Sequence, residues 1–99
     1  MPDQVRRWLI AYDISSDVRR ERIARRLLTY GDRVHYSVFV VDVRPATLVR
    51  LRRELQPLLK PSEDSILLCD LGPVANIDGR CFEFLGLSPT LTPHGPLVV

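Results

Sequence analysis

The chain has 99 residues, of which 45% are hydrophobic and 26% are charged, and its formal net charge is +2. This length allows one hydrophobic core, and the composition is that of an ordinary globular domain. No apolar run approaches the roughly 18–20 residues that a transmembrane helix needs. The start of the chain, Met1–Gln4, lacks the basic and apolar regions of a signal peptide. We therefore expect a cytoplasmic protein without membrane contact.

The two cysteines and two histidines predict neither a disulfide nor a zinc site. Cys69 and Cys81 are expected to be half-buried thiols on strands, because a disulfide is not expected without a secretory signal. His35 and His94 lack the close spacing to cysteine that zinc sites show.

The first two predicted elements are a strand and a basic helix. The segment Val5–Asp13 is mostly apolar on both alternating faces, which predicts a strand covered on both sides. Ser15 or Ser16 is a suitable N-cap for a helix that runs to about Tyr30, with Gly31 as its C-terminal stop. Apolar residues at helical spacing predict the buried stripe of this helix: Val18, Ile23, Ala24, Leu27, Leu28 and Tyr30.

Further strands and a second helix follow. Arg33–Val43 is rich in Val, Tyr and Phe and predicts either one bent strand or two short ones. Pro45 suits the first turn of a helix that continues to about Leu58. Ser65–Leu71 predicts the next strand, ended by Gly72-Pro73, and Cys81–Leu85 predicts a short strand after an Asp78-Gly79 turn.

This order of elements predicts an α+β fold. If Arg33–Val43 is two strands, the order β-α-β-β-α-β is that of a ferredoxin-like sandwich. Residues 1–85 would form that domain, and residues 86–99 a Pro-rich C-terminal tail in which Leu97–Val99 could add an edge strand. Helices cover one face of such a sheet. Because the strands are apolar on both faces, we expect a second copy of the chain on the other face, in a homodimer.

Asp13 is the main candidate for chemistry. It ends an apolar strand, where a charge is tolerated only if it is paired or binds a ligand. A two-fold dimer through the open sheet face would bring both copies of Asp13 together. Two carboxylates with waters and phosphate oxygens make a suitable Mg²⁺ site. The alternative is that Asp13 only caps the following helix.

The arginines of the first helix are candidates for binding phosphate. Between Arg19 and Arg33 there are six arginines and two carboxylates, and we expect only Glu21 to be available for compensating pairs. Unpaired arginines would bind nucleic acid with strong salt dependence and little base specificity. The alternative is the solvated face of an amphipathic helix. The arginines concerned are Arg19, Arg20, Arg22, Arg25 and Arg26.

The aromatic and histidine side chains around Asp13 are expected to be structural. Tyr12, Tyr36 and Phe39 are predicted to lie in the core or an interface rather than to stack on bases. His35 is expected to be a hydrogen-bonded interface residue, with a proton shuttle as the alternative.

Two motifs resemble those of the CRISPR-associated Cas2 family. The first is Tyr12-Asp13-Ile14-Ser15 before the arginine-rich helix, and the second runs from Tyr30 to Phe39 as Y-G-D-R-V-H-Y-S-V-F. The family pattern is a Y-D-I strand end, an Arg/Lys helix and a Y-G-x-R-V-Q-x-S-V-F segment. The match covers roughly residues 8–43. His35 stands where the family commonly has Gln, and Val40 stands where Glu is frequent.

The resemblance implies a ferredoxin-like homodimer with Mg²⁺ or Mn²⁺ shared between the two copies of Asp13. It implies a role in spacer acquisition, where the dimer bridges dimers of the Cas-one integrase and holds duplex DNA. It also implies a metal-dependent endonuclease activity on single-stranded RNA or double-stranded DNA. By motif position, the activity-linked residues are Tyr12, Asp13, Arg20, Arg22, Arg33 and Phe39, and His35, Ser37 and Phe39 are expected to support the site or the interface.

Two alternatives to this nuclease remain open from the sequence. One is a non-catalytic homodimeric adaptor that binds duplex DNA and the integrase without cutting. The other is a toxin-like small RNase of the same architecture, which gene neighbourhood would distinguish.

Overall fold

The computed structural model describes residues 4–77 and 82–89. Its elements are β1 (Arg6–Asp13), α1 (Asp17–Leu28), β2 (Gly31–His35), β3 (Val38–Val43), α2 (Pro45–Leu55), a 3₁₀ turn (Gln56–Leu58), β4 (Ser65–Pro73) and a second 3₁₀ turn (Val74–Asn76). The strands form one antiparallel sheet in the order β2-β3-β1-β4. This β-α-β-β-α-β order confirms the predicted α+β, ferredoxin-like fold.

The segment predicted as one bent strand or two short strands is two strands. A two-residue turn, Tyr36-Ser37, joins β2 to β3. The pairing of these strands is irregular between Arg33 and His35. This hairpin places its turn beside the C-terminal end of β1, because the backbone N–H of Tyr12 donates to the carbonyl oxygen of Ser37 at 3.0 Å.

Gly31 is the first residue of β2 and does not stop α1, so the prediction of a glycine C-cap is wrong. The C-cap of α1 is Thr29, in a right-handed conformation. A Cβ atom at position 31 would lie 2.0 Å from the carbonyl oxygen of Val40. The glycine is therefore required by the close approach of β2 to β3, and not by a left-handed backbone.

The core lies between the helices and one face of the sheet. The sheet and both helices contribute its fully buried side chains. These are Ile10, Phe39, Val41 and Val43 on strands, Ile23 and Leu27 on α1, and Leu51 on α2. Val18 and Leu28 were predicted to be buried and are exposed. At about 100° per residue, Val18 lies on the opposite side of α1 from Leu27, so it cannot face the sheet.

Other boundaries differ from the predictions in detail. β4 continues through Gly72, which has a φ of 103° and lies where the pairing with β1 shifts register. Phe82–Leu85 is not a strand, so that prediction is wrong for its described part. Cys69 is exposed rather than half-buried.

Several predictions lie outside the described residues: those on Asp78-Gly79, Cys81 and Leu97–Val99. The division of the chain at residues 85 and 86 stays a prediction. No helix in the described part of the chain is long and apolar enough to cross a membrane.

Candidate metal and nucleic-acid site

Asp13 is the last residue of β1, where it is exposed and opposite Ser65 of β4. The N-cap of α1 is Ser16, whose side-chain oxygen accepts a hydrogen bond from the N–H of Arg19 at 3.3 Å. The alternative that Asp13 caps α1 is therefore wrong. Within residues 4–77 and 82–89, its carboxylate has no hydrogen bond or ion pair. The carboxylate is thus available to an external ligand.

One carboxylate does not make a metal site by itself. Among the described residues, no group of three or more His, Cys, Asp or Glu could hold a metal ion. Mg²⁺ takes six oxygen ligands and usually keeps several waters, with one or two carboxylates and substrate phosphates completing the shell. The donor chemistry of Asp13 fits such an ion, provided that a second copy of the chain and the substrate supply further oxygens.

Tyr12 connects the end of β1 to the β2–β3 turn. Its ring is buried, and its hydroxyl donates to the carbonyl oxygen of Tyr36 at 3.2 Å. The same hydroxyl accepts from Nη2 of Arg33 at 3.3 Å. Tyr12 also donates its backbone N–H to the carbonyl oxygen of Ser37. These contacts hold the β2–β3 turn against Tyr12, the residue that precedes Asp13. Ser37 acts here through its backbone.

Arg20 joins α1 to the same turn. Its Nε donates to the hydroxyl of Tyr36 at 3.2 Å, its Nη1 donates to the carbonyl oxygen of Ile14 at 2.9 Å, and its Nη2 pairs with Asp17. The hydrogen bond from Arg20 to Tyr36 is the largest cause of a raised Arg20 pKa. Arg20 is therefore a fixed cation beside the strand end that carries Asp13.

Arg33 completes the cluster from β2. Its guanidinium lies 5.6 Å from the ring centroid of Tyr36 and 5.1 Å from that of Phe39. Phe39 is fully buried, with its ring 6.0 Å from that of Tyr12. We name Tyr12, Arg20, Arg33, Tyr36 and Phe39 the arginine–tyrosine cluster. In this cluster Phe39 can only position other residues, whereas the two arginines can reach an anion.

Tyr36 was not selected by the sequence as a site residue. Tyr12 and Phe39 lie in the core as predicted, but Tyr36 is 69% exposed. Because it stands in a turn between two strands of alternating pattern, its side-chain direction could not be read from periodicity. The structure makes it the exposed aromatic residue of the arginine–tyrosine cluster.

The arginines of α1 are largely paired, so the prediction that Glu21 alone is available to them is wrong. Arg19 donates to Asp64 at 2.6 Å and to Glu63 at 3.3 Å, and Arg26 lies 3.4 Å from Glu54. These carboxylates are far away in the chain, and the fold brings them to the helix. Arg25 pairs with Glu21 at 2.6 Å.

Arg22 is different from these paired arginines. It is exposed, and it has no hydrogen bond or ion pair within the described part of the chain. It lines a groove of about 320 Å³ together with Arg25, Arg26, Thr29 and Leu58. A larger groove of about 570 Å³ contacts the arginine–tyrosine cluster and is lined by Asp17, Arg20, Glu21, Ala24, Arg25, Leu28, Arg33 and Tyr36.

His35 directly precedes the hairpin turn. It is exposed at the end of β2, and its ring meets the ring of Phe84 edge-on at a centroid distance of 5.7 Å. This contact links β2 to the segment that follows β4. The proposed interface role of His35 stays a prediction.

Comparison with known proteins matches most of this chain to one family. The family model described as "CRISPR associated protein Cas2" matches residues 6–74. A curated relative from Rhodospirillum rubrum, named CRISPR-associated endoribonuclease Cas2 3, is 35% identical over 92% of this chain and 98% of its own length. CRISPR-associated endonuclease Cas2 2 from Thermus thermophilus is 38% identical over 85% of this chain and 86% of its own length.

Solved structures give the same result. The crystal structure of Streptococcus pyogenes Cas2 matches with a TM-score of 0.72 at 32% identity, covering 81% of this chain and 99% of that one. A hypothetical protein from Thermus thermophilus, TT1823, matches with a TM-score of 0.73 at 34% identity, covering 89% of this chain and 99% of that one. The chain therefore belongs to the CRISPR-associated Cas2 family.

Proposed function

We propose that this chain is a divalent-cation-dependent endonuclease that acts in CRISPR spacer acquisition as a homodimer. The observation that carries the proposal is the exposed carboxylate of Asp13, which has no partner within the described residues and directly follows the arginine–tyrosine cluster. A free carboxylate at the strand end suits a cation, and the guanidinium groups of Arg20 and Arg33, which bind the neighbouring residues Ile14 and Tyr12, suit a phosphodiester. The relatives named endoribonuclease and endonuclease support the same activity.

The sheet face that the helices leave open supports a homodimer. Leu9, Ala11 and Asp13 alternate with core residues of β1, so they share this open face. Leu67, opposite Ala11 on β4, is 59% exposed. A second copy on this face would cover these apolar side chains, and it would place both copies of Asp13 at one interface.

The two copies of Asp13, one from each subunit, would together hold one Mg²⁺ or Mn²⁺ ion. When bound, such an ion lowers the pKa of a water ligand and neutralises phosphate charge. Arg20 and Arg33 would orient the phosphodiester, because both guanidinium groups are held by Tyr36. The substrate would be single-stranded RNA or double-stranded DNA. We also propose an integrase partner and a cytoplasmic location, which the resemblance to the family implies.

The test compares cleavage by purified wild-type protein with cleavage by Asp13→Asn and Asp13→Ala. Labelled single-stranded RNA and duplex DNA are incubated with Mg²⁺, Mn²⁺ or a chelator. We expect a rate loss of about a hundredfold or more in both variants, since the loss of a metal ligand removes the ion. Glu83→Gln, an exposed carboxylate in the segment after β4, is the matched control and should cleave like the wild type. Undiminished cleavage by Asp13→Asn would refute the proposal.

A second candidate function is a non-catalytic adaptor that holds duplex DNA. It is favoured by the absence, within the described residues of one chain, of a complete set of metal ligands. In that case Asp13→Asn should leave duplex binding and assembly with the integrase intact, whereas Arg22→Glu with Arg26→Glu should weaken duplex binding. Divalent-dependent cleavage that is lost in Asp13→Asn would decide against the adaptor as the sole function.

A further inference from the structure

Arg20 uses all three nitrogen atoms of its guanidinium group within the protein. Nε donates to the hydroxyl of Tyr36 at 3.2 Å, Nη1 donates to the carbonyl oxygen of Ile14 at 2.9 Å, and Nη2 pairs with the carboxylate of Asp17. An oxyanion binds a guanidinium group most strongly through two parallel hydrogen bonds from neighbouring nitrogen atoms. Both nitrogen pairs that can make such bonds include Nη2. Asp17 therefore binds the atom that a phosphate would need.

The exposure of Asp17 makes this ion pair exchangeable. The Asp17 side chain is 90% accessible, and an ion pair with so exposed a carboxylate contributes little to stability. Asp64, which binds Arg19, differs because its side chain is 0% exposed. Removing Asp64 from Arg19 would leave a buried charge unpaired, whereas Asp17 can leave Arg20 and remain in water.

Glu21 and Arg25 repeat the arrangement one turn further along α1. Nη2 of Arg25 lies 2.6 Å from Oε1 of Glu21, and both side chains are exposed. The two ion pairs line the same groove of about 570 Å³. Arg33 also lines this groove, but it donates to the hydroxyl of Tyr12 and pairs with no carboxylate among the described residues. The groove therefore contains one arginine without an acidic partner and two whose charge is offset by an exposed acid.

Arg20 does not need Asp17 to keep its position. The carbonyl oxygen of Ile14 is a backbone acceptor next to the end of β1, and it holds Nη1. The hydroxyl of Tyr36 holds Nε, and the carbonyl oxygen of Tyr36 is in turn bound by the hydroxyl of Tyr12. These two contacts fix the guanidinium group from the strand end and from the hairpin turn, so the carboxylate of Asp17 adds a negative charge rather than a support.

We infer that Asp17 is an intramolecular competitor of phosphate at Arg20. Without nucleic acid, its carboxylate pairs with Nη2 of Arg20. When a phosphate binds there, the carboxylate turns toward solvent, so Asp17 lowers the affinity of the arginine–tyrosine cluster for nucleic acid. The inference depends on the proposed function only in that it places a nucleic-acid phosphate at Arg20, and it does not depend on Asp13 or on cleavage.

The experiment measures binding by fluorescence anisotropy, with all proteins carrying Asp13→Asn to prevent cutting. The ligands are a labelled single-stranded RNA and a labelled duplex DNA, and the one that the parent protein binds more tightly is used for the comparison. We expect Asp17→Asn to raise its affinity about threefold, in keeping with the small contribution of an exposed ion pair. Glu83→Gln removes one negative charge from an exposed residue after β4 and should leave the affinity unchanged.

A double-mutant cycle separates competition at Arg20 from a general effect of charge. In a protein that carries Arg20→Gln, Asp17→Asn should change the affinity by less than about 1.5-fold, because the group for which Asp17 competes is gone. A long-range effect of the negative charge would remain without Arg20. Asp17→Ser, a second neutral residue suited to the start of a helix, should reproduce the gain of Asp17→Asn. Thermal unfolding of each variant checks that the fold is intact.

Three results would overturn the inference. A loss of affinity in Asp17→Asn would mean that Asp17 positions Arg20, and an unchanged affinity would mean that the two anions do not compete. An equal gain with and without Arg20 would reduce Asp17 to one negative charge among others. Each of these results leaves the Asp13 cleavage test unaffected. Conversely, a gain that requires Arg20 stands even if the protein proves not to cut.

Discussion

Arg19 and Asp64 form an ion pair between residues 45 positions apart, with Nε of Arg19 2.6 Å from Oδ2 and Nη2 3.1 Å from Oδ1 of Asp64. The pair ties the first turns of α1 to the residue before β4. The backbone N–H of Lys60 donates to the same carboxylate at 2.9 Å. Arg19 therefore holds the fold together at the end of the sheet where Asp13 lies opposite Ser65.

The ion pair predicts how stability depends on pH. The hydrogen bond from Arg19 is the largest cause that lowers the pKa of Asp64 below its ordinary value of 3.8. Because the pKa is lower in the folded state, the pair stabilises the protein above pH 3.8, and this contribution is lost as the pH falls through the folded-state pKa. Asp64→Asn should thus be less stable than the wild type at pH 7, with the difference shrinking as the pH falls below 3.8.

Urea unfolding followed by circular dichroism at several pH values measures this difference. Glu83→Gln serves as the control for losing one negative charge elsewhere on the surface. A difference between Asp64→Asn and the wild type that does not shrink as the pH falls below 3.8 would show that the ion pair is not its cause.

Arg22 and Arg19 are predicted to differ in their effect on nucleic-acid binding. Arg22 is exposed and has no partner in the described residues, whereas Arg19 is held by Asp64. Arg22→Gln should lower affinity for any strand and reduce the slope of log affinity against log salt by about 1, since one fewer phosphate is neutralised. Arg19→Gln should leave that slope unchanged and lower stability instead.

Anisotropy titrations at four salt concentrations give the two slopes, and urea unfolding gives the two stabilities. Each variant is the other's control, because both replace one arginine of α1 by glutamine. If the slope of log affinity against log salt is the same for Arg22→Gln and the wild type, Arg22 does not contact a phosphate of the bound nucleic acid.

Phe39 and Arg33 are in contact, but replacing them should have different effects: one on stability and the other on substrate binding. Phe39 is fully buried, so Phe39→Ala should cost about 3–5 kcal/mol in a domain whose total stability is about 5–15 kcal/mol. Loss of activity in that variant would therefore report damage to the fold. Arg33→Ala removes an exposed side chain and should reduce substrate binding with a much smaller loss of stability.

Thermal unfolding beside the cleavage assay separates the two effects. Phe39→Leu, which keeps an apolar side chain at the same site, should recover most of the stability. If Phe39→Ala unfolded at the wild-type temperature and was inactive, Phe39 would have a direct role that its burial does not predict.

Gly31 is predicted to be intolerant of any side chain. A Cβ there would lie 2.0 Å from the backbone oxygen of Val40 and 2.7 Å from Cγ1 of Val41. The nearest atom belongs to the backbone of the paired strand, so relief requires a shift of β3, and Gly31→Ala should cost on the order of 3 kcal/mol. Ala46→Ser adds one atom to an exposed residue of α2 and should change the free energy of unfolding by about 0.5 kcal/mol or less.

Chemical unfolding of the two variants provides this comparison. A Gly31→Ala protein as stable as Ala46→Ser would mean that β2 and β3 can separate at no cost, contrary to the pairing observed.

The sequence by itself determined the fold class, a serine N-cap for α1, the position of Asp13 at the end of a strand and the order of elements, except whether Arg33–Val43 is one strand or two. These features depend on local signals: alternation in strands, helical spacing of Ile23, Ala24 and Leu27, and a serine before the first turn. The two motifs around Asp13 and Arg33 also lie in continuous stretches. Local signals of this kind do not need the rest of the fold to be recognised.

Only the tertiary structure decided which charges are free and which aromatic ring is exposed. The sequence does not distinguish Arg19 from Arg22, since both are arginines of a basic helix. In the structure Arg19 pairs with Asp64, whereas Arg22 has no partner among the described residues. Tyr36 is exposed and has two guanidinium groups over its ring because α1 and β2 meet at the hairpin turn. Ion pairing and side-chain direction in turns are set by how separate elements pack, and pairs 45 residues apart in the chain leave no periodic trace in the sequence.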